Sequence, residues 1–373
     1  MNRRMRIRIH CRLRALLLGV LLALSSTPSL SGCLDQARLT GVNLAGAEFN
    51  HKTLPGVAFK DYTYPSAAEL NHIAAQGANM IRLPFSWERL QRVANGPLDP
   101  DELGRIRTTV NNANTAGLCV LLDVHNYGQY YQYELGDVLP EPAPKGTNLT
   151  SAFINFWLTL ADEFPDPNKV AFGLMNEPAH IPLVNWAAIA KQTLASLRSA
   201  GATNLVFVSG GGWSGVHDWF AGLQNNANEF DDLRDPLKRA IIEVHQYTDP
   251  NSSGMHAVID ANSCRAAGEF TLMFERIKQW AQTHQQKLFL GEFGVPQTEQ
   301  CLNTLLHFLT LMNNDAWHGW SYWAAGSWWG KYPLALSGPN QSEAPQWQHL
   351  KTFFYQQESN SSRNPPQPPG PAE

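Results

Sequence analysis

The stretch Cys119-Val-Leu-Leu-Asp-Val-His125 decides how the rest of this chain is read. A strand with one wet face alternates apolar and polar residues, whereas this run is apolar on both faces until Asp123 and His125. That pattern belongs to a strand covered on both sides, as in a parallel sheet. Seven more runs of the same kind flank it: Thr40 to Ala45, Met80 to Phe85, Val170 to Met175, Leu205 to Ser209, Ala240 to Val244, Leu288 to Gly291 and Gly319 to Trp323. Each is separated from the next by enough chain for a helix. Helical spacing is visible in Leu158, Leu160 and Ala161, and again in Phe270, Phe274, Ile277 and Ala281. Eight strands alternating with helices predict an α/β fold, a single (β/α)8 TIM barrel, with a doubly wound open sheet as the alternative.

Five of these runs turn polar or ionisable toward their C-terminal ends. Arg82 follows Met80-Ile81, Asp123 and His125 follow Leu121-Leu122, and Asn176-Glu177 follow Leu174-Met175. Glu243 and His245 follow Ile241-Ile242, and Glu292 follows Phe289-Leu290-Gly291. In a barrel all these ends emerge on one face, where catalytic groups collect.

The ends of the chain read differently. Six arginines (Arg3, Arg4, Arg6, Arg8, Arg12 and Arg14) precede the apolar run Ala15 to Leu24, and no acid occurs before Asp35. A basic segment and about ten apolar residues make an export leader, too short to span a membrane. The following Leu30-Ser-Gly-Cys33 reads in two ways. It resembles a bacterial lipobox, which makes Cys33 a lipidation candidate and would attach the exported protein to the outer membrane; ordinary cleavage nearby would leave Cys33 free. Glu358 to Glu373, with Pro365-Pro-Gln-Pro-Pro, is a Ser- and Pro-rich segment expected to stay unfolded. The chain therefore divides into a leader over 1–33, a barrel over 34–357 and a tail over 358–373.

The remaining cysteines fit an oxidising compartment. Cys264 and Cys301 stand in polar contexts outside the strands and are expected to pair, while Cys119, inside its apolar run, reads as a buried free thiol. Charge disfavours nucleic acid as a partner. Of 28 Lys and Arg, six lie in the leader, so from Leu34 onward 22 face 32 acids, a formal charge of −10.

The strand-end residues also carry a resemblance. Gly173-Leu-Met-Asn-Glu-Pro resembles the acid/base signature of glycoside hydrolase family 5, and Leu290-Gly-Glu-Phe-Gly resembles its nucleophile strand. Arg82 in Ile-Arg-Leu-Pro-Phe-Ser-Trp, His125 in Asp-Val-His-Asn-Tyr, His245 and Tyr247 in Glu-Val-His-Gln-Tyr, and Trp323 in Gly-Trp-Ser-Tyr-Trp-Ala-Ala-Gly follow in the family's order. The opening Gly41-Val-Asn-Leu-Ala-Gly-Ala-Glu-Phe and closing Tyr332-Pro-Leu-Ala-Leu-Ser resemble the endo-β-1,4-glucanases of bacteria and filamentous fungi.

The resemblance implies Glu177 as general acid/base, Glu292 as nucleophile, and Arg82, His125, Asn176, His245 and Tyr247 as their supports. The implied partner is a β-glucan, cut by a chain acting as a monomer without a cofactor. Mannanases and xylanases use the same scaffold, and a cell-envelope polysaccharide-binding protein could keep the aromatics without catalysis. A metal centre is not expected, because neither strand-end histidine belongs to a His-x-His pair: Asp123 precedes His125 and Glu243 precedes His245 by two residues. Among twelve tryptophans, Trp323 is the first candidate for a sugar platform, Trp213, Trp328 and Trp329 are further candidates, and Trp157, Trp186 and Trp280 fall on helices as core.

Overall fold

A computed structural model describes residues 32–140, 143–254, 264–336 and 343–361, with side chains to Phe354. Eight parallel strands close into a barrel: β1 (Leu39–Leu44), β2 (Met80–Phe85), β3 (Cys119–Val124), β4 (Val170–Gly173), β5 (Val206–Ser209), β6 (Ala240–His245), β7 (Leu288–Glu292) and β8 (Trp317–Ala325). They pair in sequence order, and β8 returns to β1 with Thr40 opposite Trp320. Every apolar run named above lies on one of these strands. The largest departure is at β4, which stops at Gly173, so Leu174 to Glu177 form the turn that leaves the barrel.

Alternation along each strand sorts its residues between two cores. Outward side chains meet the helices. Phe153, Phe156, Trp157 and Leu160 of helix Leu149–Glu163 are all buried there. Trp157, Trp186 and Trp280 are core residues, as expected, and their indole N–H groups donate to the carbonyls of Leu174, Ser209 and Ala227 at 3.1, 2.8 and 2.9 Å. That pairing removes the cost of burying an indole donor.

Inward residues change character along the barrel axis. At the N-terminal end Leu39, Met80, Cys119, Leu121, Ala171, Phe207, Ile241 and Phe289 pack as an apolar plug with Cys33. One layer up, toward the C-terminal ends of the strands, Asn43, Arg82, Asp123, Glu243 and Ser321 are polar yet buried. Gly291 belongs to this layer because nothing larger fits: a Cβ there would stand 2.1 Å from Glu243 Oε1.

The floor overturns two expectations. Cys33 and Cys119 form a disulfide, and both are buried. Cys119 is therefore not a free thiol, because an apolar strand context suits a half-cystine as well as it suits a thiol. Nor is Cys33 a lipidation site in this structure, since its Sγ is bonded to a second sulfur. Cys264 and Cys301 are paired as expected, although Cys301 lies in the first turn of helix Glu299–Leu311 and not in a loop. Leader residues 1–31 lie outside the described residues. At the other end, helix Gln346–Ser361 runs four residues into the expected tail, there being no proline before Pro365 to stop it; the remainder of the tail is outside the described residues. No described helix is long and apolar enough to cross a membrane.

Candidate active site

Arg82 is the hub of the polar layer. It sits in the middle of β2 and not at its end, fully buried and pointing into the barrel. Five oxygens surround its guanidinium: Nη1 donates to Asn43 Oδ1 at 2.9 Å and Glu292 Oε1 at 3.0 Å, and Nη2 to Asn176 Oδ1 at 2.8 Å. Nη2 also pairs with Asp123 Oδ1 at 3.0 Å, and Nε with Glu243 Oε1 at 2.9 Å. Three carboxylates meet the charge of the guanidinium, although Nε, in ionic contact with Glu243, makes no hydrogen bond. Removing any one carboxylate would cost the guanidinium one ionic partner while two others remain.

Glu292, the last residue of β7, is bonded on both oxygens. Arg82 holds Oε1, and Tyr247 Oη donates to Oε2 at 2.7 Å. Burial opposes its ionisation, but the charges of His245, Arg82 and His125 and the Tyr247 hydroxyl together hold its carboxyl below the usual range. Glu177 is in the opposite condition. Burial and the negative charge of Glu292 raise its carboxyl above the usual range, against a hydrogen bond from His245 Nδ1 to Oε1 at 2.7 Å. The backbone of Glu177 has φ of +38°, a left-handed conformation that costs a residue with a Cβ about 1 kcal/mol or more. Pro178 follows it, and Asn176 N anchors the turn on Val124 O at 2.7 Å.

Two histidines complete the set. His245 lies between Glu177 and Glu243, with Nε2 3.2 Å from Glu243 Oε1. Burial disfavours its charge, yet Glu292, Glu177 and Glu243 outweigh that and raise it to about 10. His125 Nδ1 meets Asp123 Oδ2 at 2.8 Å, which raises its affinity for a proton despite burial, and its Nε2 lies 3.3 Å from Asn176 Nδ2. Ligand atoms of Glu177, His245 and Glu292 all lie within 4.8 Å of one another, close enough to share a cation. The donor set does not suit one, because a protonated His245 has no lone pair to offer and both Glu292 oxygens are already engaged.

Above this layer opens a cleft of about 1110 Å³. Trp323 and Trp329 line it; Trp323 stacks on His125 with centroids 5.6 Å apart, and Trp329 meets Trp323 edge-on at 5.7 Å. The long loop after β3 supplies another wall through Tyr127, Tyr130, Tyr131 and Tyr133, the last three on a small hairpin. Trp213 is half exposed at the rim, edge-on to Tyr127 and His180 at 6.0 and 6.4 Å. Of the four tryptophans named as platforms, Trp323 and Trp329 line the cleft, while Trp213 meets it only through Tyr127 and His180 and Trp328 is exposed outside its lining. Asn43, Glu48 and Tyr127 contribute to the site without having been singled out in the sequence. For Asn43 the signal was there, a polar residue inside an otherwise apolar strand.

A closed parallel barrel with paired carboxyls, one whose ionisation its neighbours favour and one whose protonation burial favours, beneath an aromatic-lined cleft is the arrangement of a glycoside hydrolase. The chain belongs to glycosyl hydrolase family 5: the family model described as cellulase matches residues 42–327. Among curated relatives, endo-beta-1,4-glucanase B of Aspergillus niger is 31% identical over 306 residues, covering 80% of this chain and 85% of the relative. Endoglucanase gh5-1 of Neurospora crassa is 30% identical over 304 residues, 80% and 73% of the two chains. Among solved structures, an endo-beta-1,4-glucanase of Xanthomonas axonopodis pv. citri matches with TM-score 0.79 and 39% identity over 86% of this chain and 99% of that one. XacCel5A, solved in complex with cellopentaose, matches with TM-score 0.78 and 38% identity over 85% of this chain and 100% of that one.

Proposed function

We propose that this chain is an exported, retaining endo-β-1,4-glucanase acting as a single chain on cellulose or soluble β-glucans. The observation that carries the mechanism is the short carboxyl separation. Oxygens of Glu177 and Glu292 lie within 4.8 Å; retaining glycosidases hold their pair about 5 Å apart, whereas inverting ones need about 6.5 Å or more for a water. The ionised Glu292 attacks the anomeric carbon while the Glu177 proton passes to the departing glycosidic oxygen, which leaves a sugar ester on Glu292. Asn176, fixed by Arg82 and His125, offers its amide N–H to the hydroxyl at carbon 2, where hydrogen bonds tighten in the transition state.

Forming the ester removes the negative charge of Glu292. That charge is one of the causes raising Glu177, so Glu177 becomes easier to ionise. It then takes a proton from water, whose oxygen attacks the anomeric carbon and frees Glu292. The flat face of the reacting sugar rests on Trp323. The β-1,4-glucan preference is supported by the names of the relatives, and an oxidising destination by the two disulfides.

The test is proton NMR of cellopentaose hydrolysis together with viscometry on carboxymethylcellulose, mannan and xylan. The first product formed should be the β-anomer, and viscosity should fall early on the cellulose derivative alone. Glu292→Gln should lower kcat by about 10⁴-fold or more while oligosaccharide binding persists. An α-anomer first, or a fully active Glu292→Gln, overturns the mechanism.

A further inference from the structure

Glu48 follows β1 and is buried, yet its carboxyl takes no part in the Arg82 cluster. Oε2 accepts from Gly46 N–H at 2.8 Å, while Oε1 has no hydrogen-bond partner among the described residues. Only 8% of the residue is exposed, and that edge borders the cleft that Trp323, Trp329 and His125 also line. Its neighbour Phe49 packs edge-on against Trp329 at 4.9 Å, which fixes the segment to the aromatic wall. A carboxyl oxygen buried without a partner costs free energy and persists only where something offsets it. Burial also pushes this carboxyl up to about 7, against the charge of His125 and the Gly46 N–H, so near neutrality it is available both as hydrogen-bond donor and as acceptor.

We propose that Glu48 is a substrate-binding residue, taking a hydroxyl of the glucosyl unit seated on Trp329, next to the unit on Trp323. The two parts of the contact are complementary. A pyranose turns its flat C–H face to an indole and its hydroxyls outward in the ring plane, where a carboxyl on the adjoining wall is placed to meet one. The unpaired oxygen is then a vacant ligand position in the free enzyme, filled when the chain binds. This rests on the reading of the cleft as a β-glucan site.

The test is the affinity of cellopentaose, measured by titration calorimetry in a Glu292→Gln background that does not consume it. Glu48→Met keeps the side-chain volume without polar atoms, and Glu48→Gln keeps a donor and an acceptor. Losing a hydrogen bond to a buried carboxyl should weaken binding by about 10- to 100-fold in the Met variant, with the Gln variant within about threefold of its parent and the melting temperature little changed in either. Equal affinity of the Met variant and its parent overturns the assignment and leaves Glu48 as a structural residue. If the parent itself does not bind cellopentaose, the β-glucan reading falls and the assignment with it.

Discussion

His245 touches both carboxyls and decides how far apart their ionisation is set. It donates to Glu177 at 2.7 Å, and its charge is the largest influence holding Glu292 ionised against burial. The signs follow directly. Glu292 must be ionised, so activity is lost as pH falls through its depressed value; Glu177 must be protonated, so activity is lost as pH rises through its raised value. In His245→Gln both carboxyls lose a cation that favoured their charged forms, so both limbs of the pH profile of kcat/KM should move to higher pH. A profile that only drops in height would mean His245 acts through packing alone. The carboxyls and histidines were legible in the sequence because each interrupts or closes an apolar run. The partnership of Arg82 with Asp123 and Glu243 was not legible, because a polar residue inside a strand does not announce which neighbour it meets across a barrel. Glu48 was hidden in the long connection between β1 and the helix Ala67–Ala75, where no periodic pattern marks it.

Elements repeat the lesson with cysteine. The eight strands could be read to within a few residues, since strands buried on both faces have no polar alternation to blur them. What escaped was the long-range link, because an apolar context around Cys119 gives no hint of the residue 86 positions earlier. Closing so long a loop restricts the unfolded chain and should stabilise the fold by about 3–4 kcal/mol. Cys119→Ser should therefore lower the melting temperature by about 5 °C, with kcat little changed, because the disulfide lies at the opposite end of the barrel from Glu177 and Glu292. Unchanged melting would show that the plug is held by packing alone. Helix starts were not read from the sequence, although some carry their own chemistry: Asp99 caps Pro100–Thr115 by accepting from the N–H groups of Asp101 and Glu102, with a proline at the first position.

At the scale of the molecule, the barrel separates stability from chemistry along its axis, apolar at the floor and charged beneath the cleft. The cleft could not be read from the sequence, since its walls come from loops after β1, β2 and β3 and from Trp323 and Trp329 more than 140 residues further on. The covalent bond at the floor has one further consequence, which concerns orientation. Cys33 is fastened beneath the strands, and Phe354 on the last helix packs against Gly77, just before β2 enters the barrel from the same side. Both ends of the described chain thus leave from the face opposite the cleft. A bead, a surface or a fused module coupled through either end would hold the enzyme with its mouth turned outward. Coupling at either terminus should preserve kcat/KM on carboxymethylcellulose within about twofold, whereas coupling through a cysteine introduced at Tyr131, on the cleft rim, should abolish access for the polymer.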